Sequence, residues 1–132
     1  LKSYCRAHAL SSIVFFAGFS KDVHAFMQGL DLLIMPSLRE GLPLTLLEAM
    51  YLKVPVIASN VGGIKEVLTN DHDGVLVPPK DPKILAEKIL ELYRNPGKRS
   101  HIADNAYAKV SSSFLAGAMV EKYLRVYNEI LD

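Results

Sequence analysis

The sequence predicts a layered α/β fold built on a parallel sheet. Three observations carry this: β-rich apolar runs alternate with helix-patterned stretches, some runs are apolar at consecutive positions, and caps or turn residues stand at the junctions. Strands that are apolar on both faces belong to parallel sheets covered by helices. Regular strand–helix alternation is the signature of βαβ units. With 132 residues, half of them hydrophobic, the chain is long enough for one domain with a real core. At this size roughly two-thirds of the unfolded chain's surface is buried.

The first eight residues read as helix but have no capping residue ahead of them, so the sequence starts within an element. Ile13, Val14, Phe15, Phe16 and Ala17 form a β-rich run that stops at Gly18. Val23, Phe26, Met27 and Leu30 then share one face of a helix. Residues 32–35 are a short, continuously apolar strand ended by Pro36 and Ser37. A helix over about 43–52 leads to a strand over 55–59, a Gly62-Gly63 turn and a short helix over 64–68. Residues 70–74 make a turn before a strand over 75–77. Asp81 is an N-cap and Pro82 the first residue of a helix carrying Leu85, Ile89, Leu92 and Tyr93 on one face. Two more helices follow, the last with Met119, Tyr123, Val126, Tyr127 and Ile130 in register. Right-handed crossovers turn such a pattern into a doubly wound, Rossmann-like sheet with helices on both faces. Ligands of these sheets sit beyond the carboxyl ends of the strands. The loops after Ala17, Met35, Ser59 and Val77 are therefore the places to look for function.

Composition narrows the class of function. A net charge of +1, from 15 basic and 14 acidic residues, gives no basic platform for nucleic acid. The single cysteine, Cys5, has no internal disulfide partner, which fits a reducing compartment. No apolar run is long enough to span a bilayer, and there is no secretory signal. The expectation is a cytoplasmic domain, or one peripheral to the inner face of the membrane.

The loop after Met35 carries the chemistry. Gly41 is expected to permit a turn other residues could not make cheaply, and Pro43 to occupy the first helical turn. The amides of Leu44, Thr45 and their neighbours would then point out of the positive end of a helix, a site suited to a phosphate or diphosphate. Glu48 is the only charge between Leu42 and Leu52, about one turn beyond Thr45 on the same face. There it could accept hydrogen bonds from two adjacent hydroxyls of a ribose. Glu40, at the mouth of the loop, could hold sugar hydroxyls and support positive charge at a reacting carbon. The plainer readings are a surface Glu40 paired with Arg39 and a solvated Glu48.

The stretch Pro36, Ser37, Glu40, Gly41, Leu42, Pro43, Leu46, Glu48, Ala49, Met50 resembles the donor-site motif of the retaining glycosyltransferases called family 4, or group 1. Phe16-Ala17-Gly18-Phe19, the Asp31-led strand, Pro55-Val56-Ile57-Ala58-Ser59, Gly62-Gly63-Ile64-Lys65-Glu66 and Asp73-Gly74-Val75-Leu76-Val77 are similar to its other landmarks. The resemblance implies the C-terminal, Rossmann-like domain of a two-domain GT-B enzyme. It implies transfer of a hexose from a UDP-, GDP- or ADP-sugar, with retention, to a glycan or lipid acceptor, as in polysaccharide biosynthesis. No cofactor and no metal are implied. Glu40 would contact the donor sugar as the catalytic carboxylate, and Ser37 would lie at the donor. The amides of Gly41, Leu42, Pro43's successor Leu44 and Thr45 would meet sugar and diphosphate. Glu48 would bind the ribose, and backbone at Gly18 and Phe19 would flank the base.

Lys53 and Lys65 depart from the family, which usually has glycine and proline there. The larger departure is the lack, before Ile13, of the strand–helix–strand whose Arg and Lys neutralise the diphosphate. Residues 1–132 are thus expected to form one partial nucleotide-sugar-binding domain, inactive without an N-terminal acceptor-binding domain. Any membrane contact would be made through parts outside these residues. The alternative class is a non-catalytic module that binds nucleotide sugar or a partner. Asp71, His72 and Asp73 carry metal-type ligands but read as a solvated turn, and His8, His24 and His101 lack ligand spacing. Cys5 reads as packing and His24 as an ordinary helix residue. Glu66 reads as structural, with capping of the Gly62 or Gly63 amides as an option. The tyrosine stripe of the last helix reads as core or an interdomain contact.

Overall fold

The computed structural model describes residues 1–41 and 43–131. Helix α1 (Lys2–Ala7) begins at Leu1 without a side-chain cap, and its one buried side chain is Cys5. The strand expected over 13–17 does not form. Those residues are a turn and extended coil, with Ile13 71% and Phe15 85% exposed. Strand propensity is realised only against a neighbour that pairs the backbone groups. The nearest strand in sequence, β1 (Leu33–Met35), pairs only with β2 (Val56–Ser59) among the described residues.

The sheet is parallel, in the order β1-β2-β3, with β3 at Val75–Val77. Leu33 lies opposite Val56 and Met35 opposite Ala58; Ile57 lies opposite Val75 and Ser59 opposite Val77. Successive strand side chains point to opposite faces, so the buried apolar residues of β2, Val56, Ile57 and Ala58, supply two cores. Val56 and Ala58 pack with Leu46, Ala49 and Met50 of α3 (Leu44–Tyr51), with α4 (Ile64–Val67), and with Ala106 and Val110 of α6 (Pro96–Ser113). Ile57 packs on the other face with Val75, Val77, Leu92 of α5 (Pro82–Arg94) and Ile102 of α6. Helices cover both faces, as the alternation predicts. Each fully buried side chain of this size contributes about 1.5–3 kcal/mol relative to exposure.

Helix starts follow the sequence closely. Asp22 caps α2 (Val23–Gln28) by accepting from the Ala25 amide, and Asp81 caps α5 by accepting from that of Ile84, with Pro82 next. The final helix, α7 (Ala116–Leu131), corrects one expectation: Tyr123 and Tyr127 are exposed, so their stripe is not core. Helix α7 packs mainly on α6, and nothing in the described residues covers its apolar face.

The turn over 70–74 is not simply solvated. Asp73 is 2% exposed and accepts from the Thr69 amide at 2.6 Å and from Lys109 Nζ at 2.8 Å. A carboxylate taken out of water must find donors, and here it finds two. Asp71 instead pairs with Lys98 at 2.6 Å. The two carboxylates therefore go to different lysines. Lys98 also pairs with Glu91, which is bound to Lys88 as well, tying α5, α6 and the turn together.

Hydrogen bonds from Lys88 and then Lys98 hold the Glu91 carboxyl down at about 2, against an ordinary 4.5. A carboxyl depressed on folding contributes stability above its unfolded pKa, and that contribution is lost as pH falls through the folded value. Glu91→Gln should lower the melting temperature near neutral pH by the equivalent of no more than about 1 kcal/mol, since solvent screens the pairs. The difference from the parent should shrink below pH 4.5 and vanish near 2 in thermal melts across that range.

Candidate functional site

Three of the four loops marked out by the sequence do converge. Pro36 and Leu38 after β1, Ser59 at the end of β2, and Val77 and Lys80 after β3 line a cavity of about 160 Å³ at the carboxyl end of the sheet. The loop after β1 continues into α3, and the local chemistry there is set by Pro43. Proline was expected inside the first turn; it is the N-cap instead, with φ −79° and ψ 104°. Its carbonyl accepts from the amides of Leu46 and Leu47. Its side chain offers no acceptor, so the amides of Leu44 and Thr45 have no partner among the described residues. Both residues are exposed. Unpaired amides at the positive end of a helix are an anion site.

Glu40 is held from two directions. Ser37 Oγ donates to Glu40 Oε1 at 2.7 Å, and the Gly63 amide donates to the Glu40 carbonyl at 3.1 Å. There is no ion pair between Glu40 and Arg39 among the described residues, so the surface-pair reading falls. Gly62 has φ +44°, and a Cβ there would stand 1.8 Å from the Glu40 carbonyl oxygen. The two glycines thus let the Glu40 loop rest directly on the turn after β2, a role the sequence reading gave neither of them. Their adjacency just after a strand was the available signal, because close backbone approach is a reason for glycine. Glu66 does not cap this turn with its side chain; its own amide donates to the Gly63 carbonyl. Gly41 is a correction in the other direction. It has neither a left-handed φ nor any atom within 4 Å of an added Cβ, so its backbone does not demand glycine.

Glu48 lies on the outer face of α3, its side chain 40% exposed rather than enclosed among leucines. Its nearest ionisable group is His24 of α2, with Nε2 3.9 Å from Oε1. The two flank a groove of about 250 Å³ lined also by Leu44, Leu47, Tyr51 and Phe114. Gly18 has φ +72° with open space around it, and Phe19 is 91% exposed; neither lines this groove. Leu42 lies outside the described residues. At the far end of α3, Lys53 takes φ +55°, the left-handed position where the family resembled has glycine. Its ammonium bonds Asp104 at 2.8 Å and lies over the Tyr107 ring. That hydrogen bond raises its pKa.

Among the described residues, no three His, Cys, Asp or Glu side chains are grouped to hold a metal ion. Among the described residues no helix is long and apolar enough to cross a membrane. The site offers two amides without a partner among the described residues, with the Thr45 hydroxyl nearby and one carboxylate on either side in sequence. That combination suits a ligand with a diphosphate between two polyols.

A family model described as Glycosyl transferases group 1 matches residues 1–109. An N,N'-diacetylbacillosaminyl-diphospho-undecaprenol alpha-1,3-N-acetylgalactosaminyltransferase of Campylobacter jejuni is 29% identical over 92% of the chain and 32% of its own length. A putative teichuronic acid biosynthesis glycosyltransferase of Bacillus subtilis, TuaC, is 36% identical over 73% of the chain and 24% of its own. Among solved structures, Anabaena Alr3699/HepE in complex with UDP superposes with a TM-score of 0.92 at 26% identity. That match covers 97% of this chain and 35% of the Anabaena one. The C-terminal domain of the Francisella tularensis group 1 family protein LpcC gives 0.75 at 30% identity, covering 87% and 60%. The chain spans about a quarter to a third of the length of the curated relatives.

Gly62→Ala should destabilise the fold by about 2 kcal/mol or more, because the new Cβ meets backbone rather than a movable side chain. Gly41→Ala, with open space at its Cβ, should stay within about 0.5 kcal/mol of the parent. Parallel denaturant titrations separate the two.

Proposed function

Because the chain belongs to the Glycosyl transferases group 1 family, we propose that it forms the donor-binding half of a retaining glycosyltransferase of GT-B architecture. The enzyme moves a hexose from a nucleotide diphosphate sugar to a glycan or lipid acceptor. The observation that carries this is the uncapped start of α3: two free amides, at Leu44 and Thr45, standing between Glu40 and Glu48 in sequence. The UDP and UDP-glucose complexes of the Anabaena neighbour support a nucleotide-sugar ligand.

In this reading the diphosphate lies against the α3 amides, where the helix dipole and unpaired N–H groups favour negative charge. Thr45 adds a hydroxyl donor. Glu48 accepts from the two ribose hydroxyls. Glu40, held by Ser37 and by Gly63, faces the sugar and stabilises positive charge that develops at its reacting carbon. A fixed carboxylate serves this better than a mobile one, since it needs no reorganisation as charge appears. Gly18 and Phe19 supply backbone beside the base. The unpaired edge of β1 and the strandless apolar run over 13–17 support a sheet that continues on that side in the whole enzyme. The acceptor and the basic residues that complete diphosphate binding belong to segments outside these residues.

Titration of UDP, GDP and ADP into the chain by calorimetry should show weak binding of at least one of them. Glu48→Ala should weaken that binding roughly tenfold or more, as loss of hydrogen bonds to a charged group requires. Equal affinity in both proteins would remove Glu48 from the site. Sugar transfer by residues 1–132 alone should be undetectable in a donor-consumption assay.

A further inference from the structure

We propose that His24 is a positioning residue for Glu48, and that the pair selects ribose over deoxyribose in the bound nucleotide. The proposal rests on the reading of Glu48 as the ribose ligand. Among the described residues no donor reaches the Glu48 carboxylate, and its only close ionisable neighbour is His24, at 3.9 Å. That separation is longer than a hydrogen bond, and a small rotation of either exposed side chain closes it. The two stand across one groove, with Leu47, Tyr51 and Phe114 as its apolar lining. A carboxylate beside such a wall is under-supplied with donors on that side.

The His24 side chain is 65% exposed, and it is the backbone beneath it that is fixed. His24 occupies the first turn of α2, where Asp22 Oδ1 takes the Ala25 amide at 2.9 Å. Ser20 Oγ bonds both the amide and the carbonyl of Asp22, fixing the approach to the helix. The segment that follows Gly18 and Phe19 therefore ends in the cap that fixes the backbone position of His24 opposite Glu48. An imidazole N–H directed at Oε1 fixes the carboxylate plane and leaves its remaining lone pairs for two adjacent hydroxyls. Histidines and carboxylates orient one another in this way around metal ligands, with measurable effects on affinity. The readable consequence is selectivity: a ligand lacking the 2′-hydroxyl leaves the held carboxylate short of one donor.

The test measures binding of UDP and 2′-deoxy-UDP, by calorimetry, to the chain and to His24→Ala, His24→Asn, Glu48→Ala and the double alanine variant. The parent should prefer UDP roughly tenfold, the worth of one charged hydrogen bond. His24→Ala should cut that preference roughly threefold or more with little effect on 2′-deoxy-UDP, and His24→Asn, which keeps an N–H, should restore part of it. In the double variant the loss should not exceed that of Glu48→Ala, since the two act as one unit. Equal weakening of both ligands by His24→Ala, or additive losses, would overturn the positioning role while leaving Glu48 in place. An unchanged UDP affinity in Glu48→Ala would instead overturn the ribose reading itself.

Discussion

The backbone of Val56–Ser59 bonds to a parallel strand on each side, and its side chains are buried on both faces. That one strand decides where everything else goes. Val56 and Ala58 form the seat on which α3 lays Leu46, Ala49 and Met50. With those three turned inward, the helical period leaves Leu44, Thr45 and Glu48 on the outer side. The chain leaving Ser59 then makes the glycine turn that accepts the Glu40 loop. Both carboxylates are thus referred to the same strand by different routes, one through a packed helix and the other through a backbone hydrogen bond.

The contrast between helix starts gives the site its chemical character. Helices α2, α5 and α6 each begin with Asp or Asn, whose side chain takes the amide of the third helical residue. Such a cap satisfies a donor and adds of order 1 kcal/mol to helix stability. Helix α3 begins with a proline that can do neither, and the amides of Leu44 and Thr45 have no partner among the described residues. Tertiary packing of Leu46, Ala49 and Met50 stabilises the helix instead.

What the sequence made legible was mostly local or periodic. Asp81 and Pro82 announce α5 through capping chemistry, and the two-sided apolar strands announce helices on both faces. Glu40 and Glu48 were legible as a pair because the apolar strand, the proline and the helical spacing all lie between Leu32 and Glu48. The misses share a different property. The run over 13–17 has the right residues for a strand, but a strand requires a partner chosen by distant chain. Asp73 is buried because Lys109, 36 residues away, comes to meet it. Gly62 is required by the carbonyl of Glu40, a contact made by folding rather than by neighbourhood. Pro43 missed by a single position, which is the scale on which helix boundaries are set by cap geometry.

The edge of β1, unpaired among the described residues, has a colloidal consequence for residues 1–132 on their own. A strand with unpaired amides and carbonyls invites pairing with another molecule, and here several exposed aromatics lie in the segments just before it. Strand β1 is only three residues long, however, with Asp31 shortly before it and Pro36 directly after. A proline cannot extend the ladder, and a charge beside a short edge discourages stacking of copies. The residue that closes β1 ahead of the Glu40 loop therefore also limits how much edge a second chain could grip.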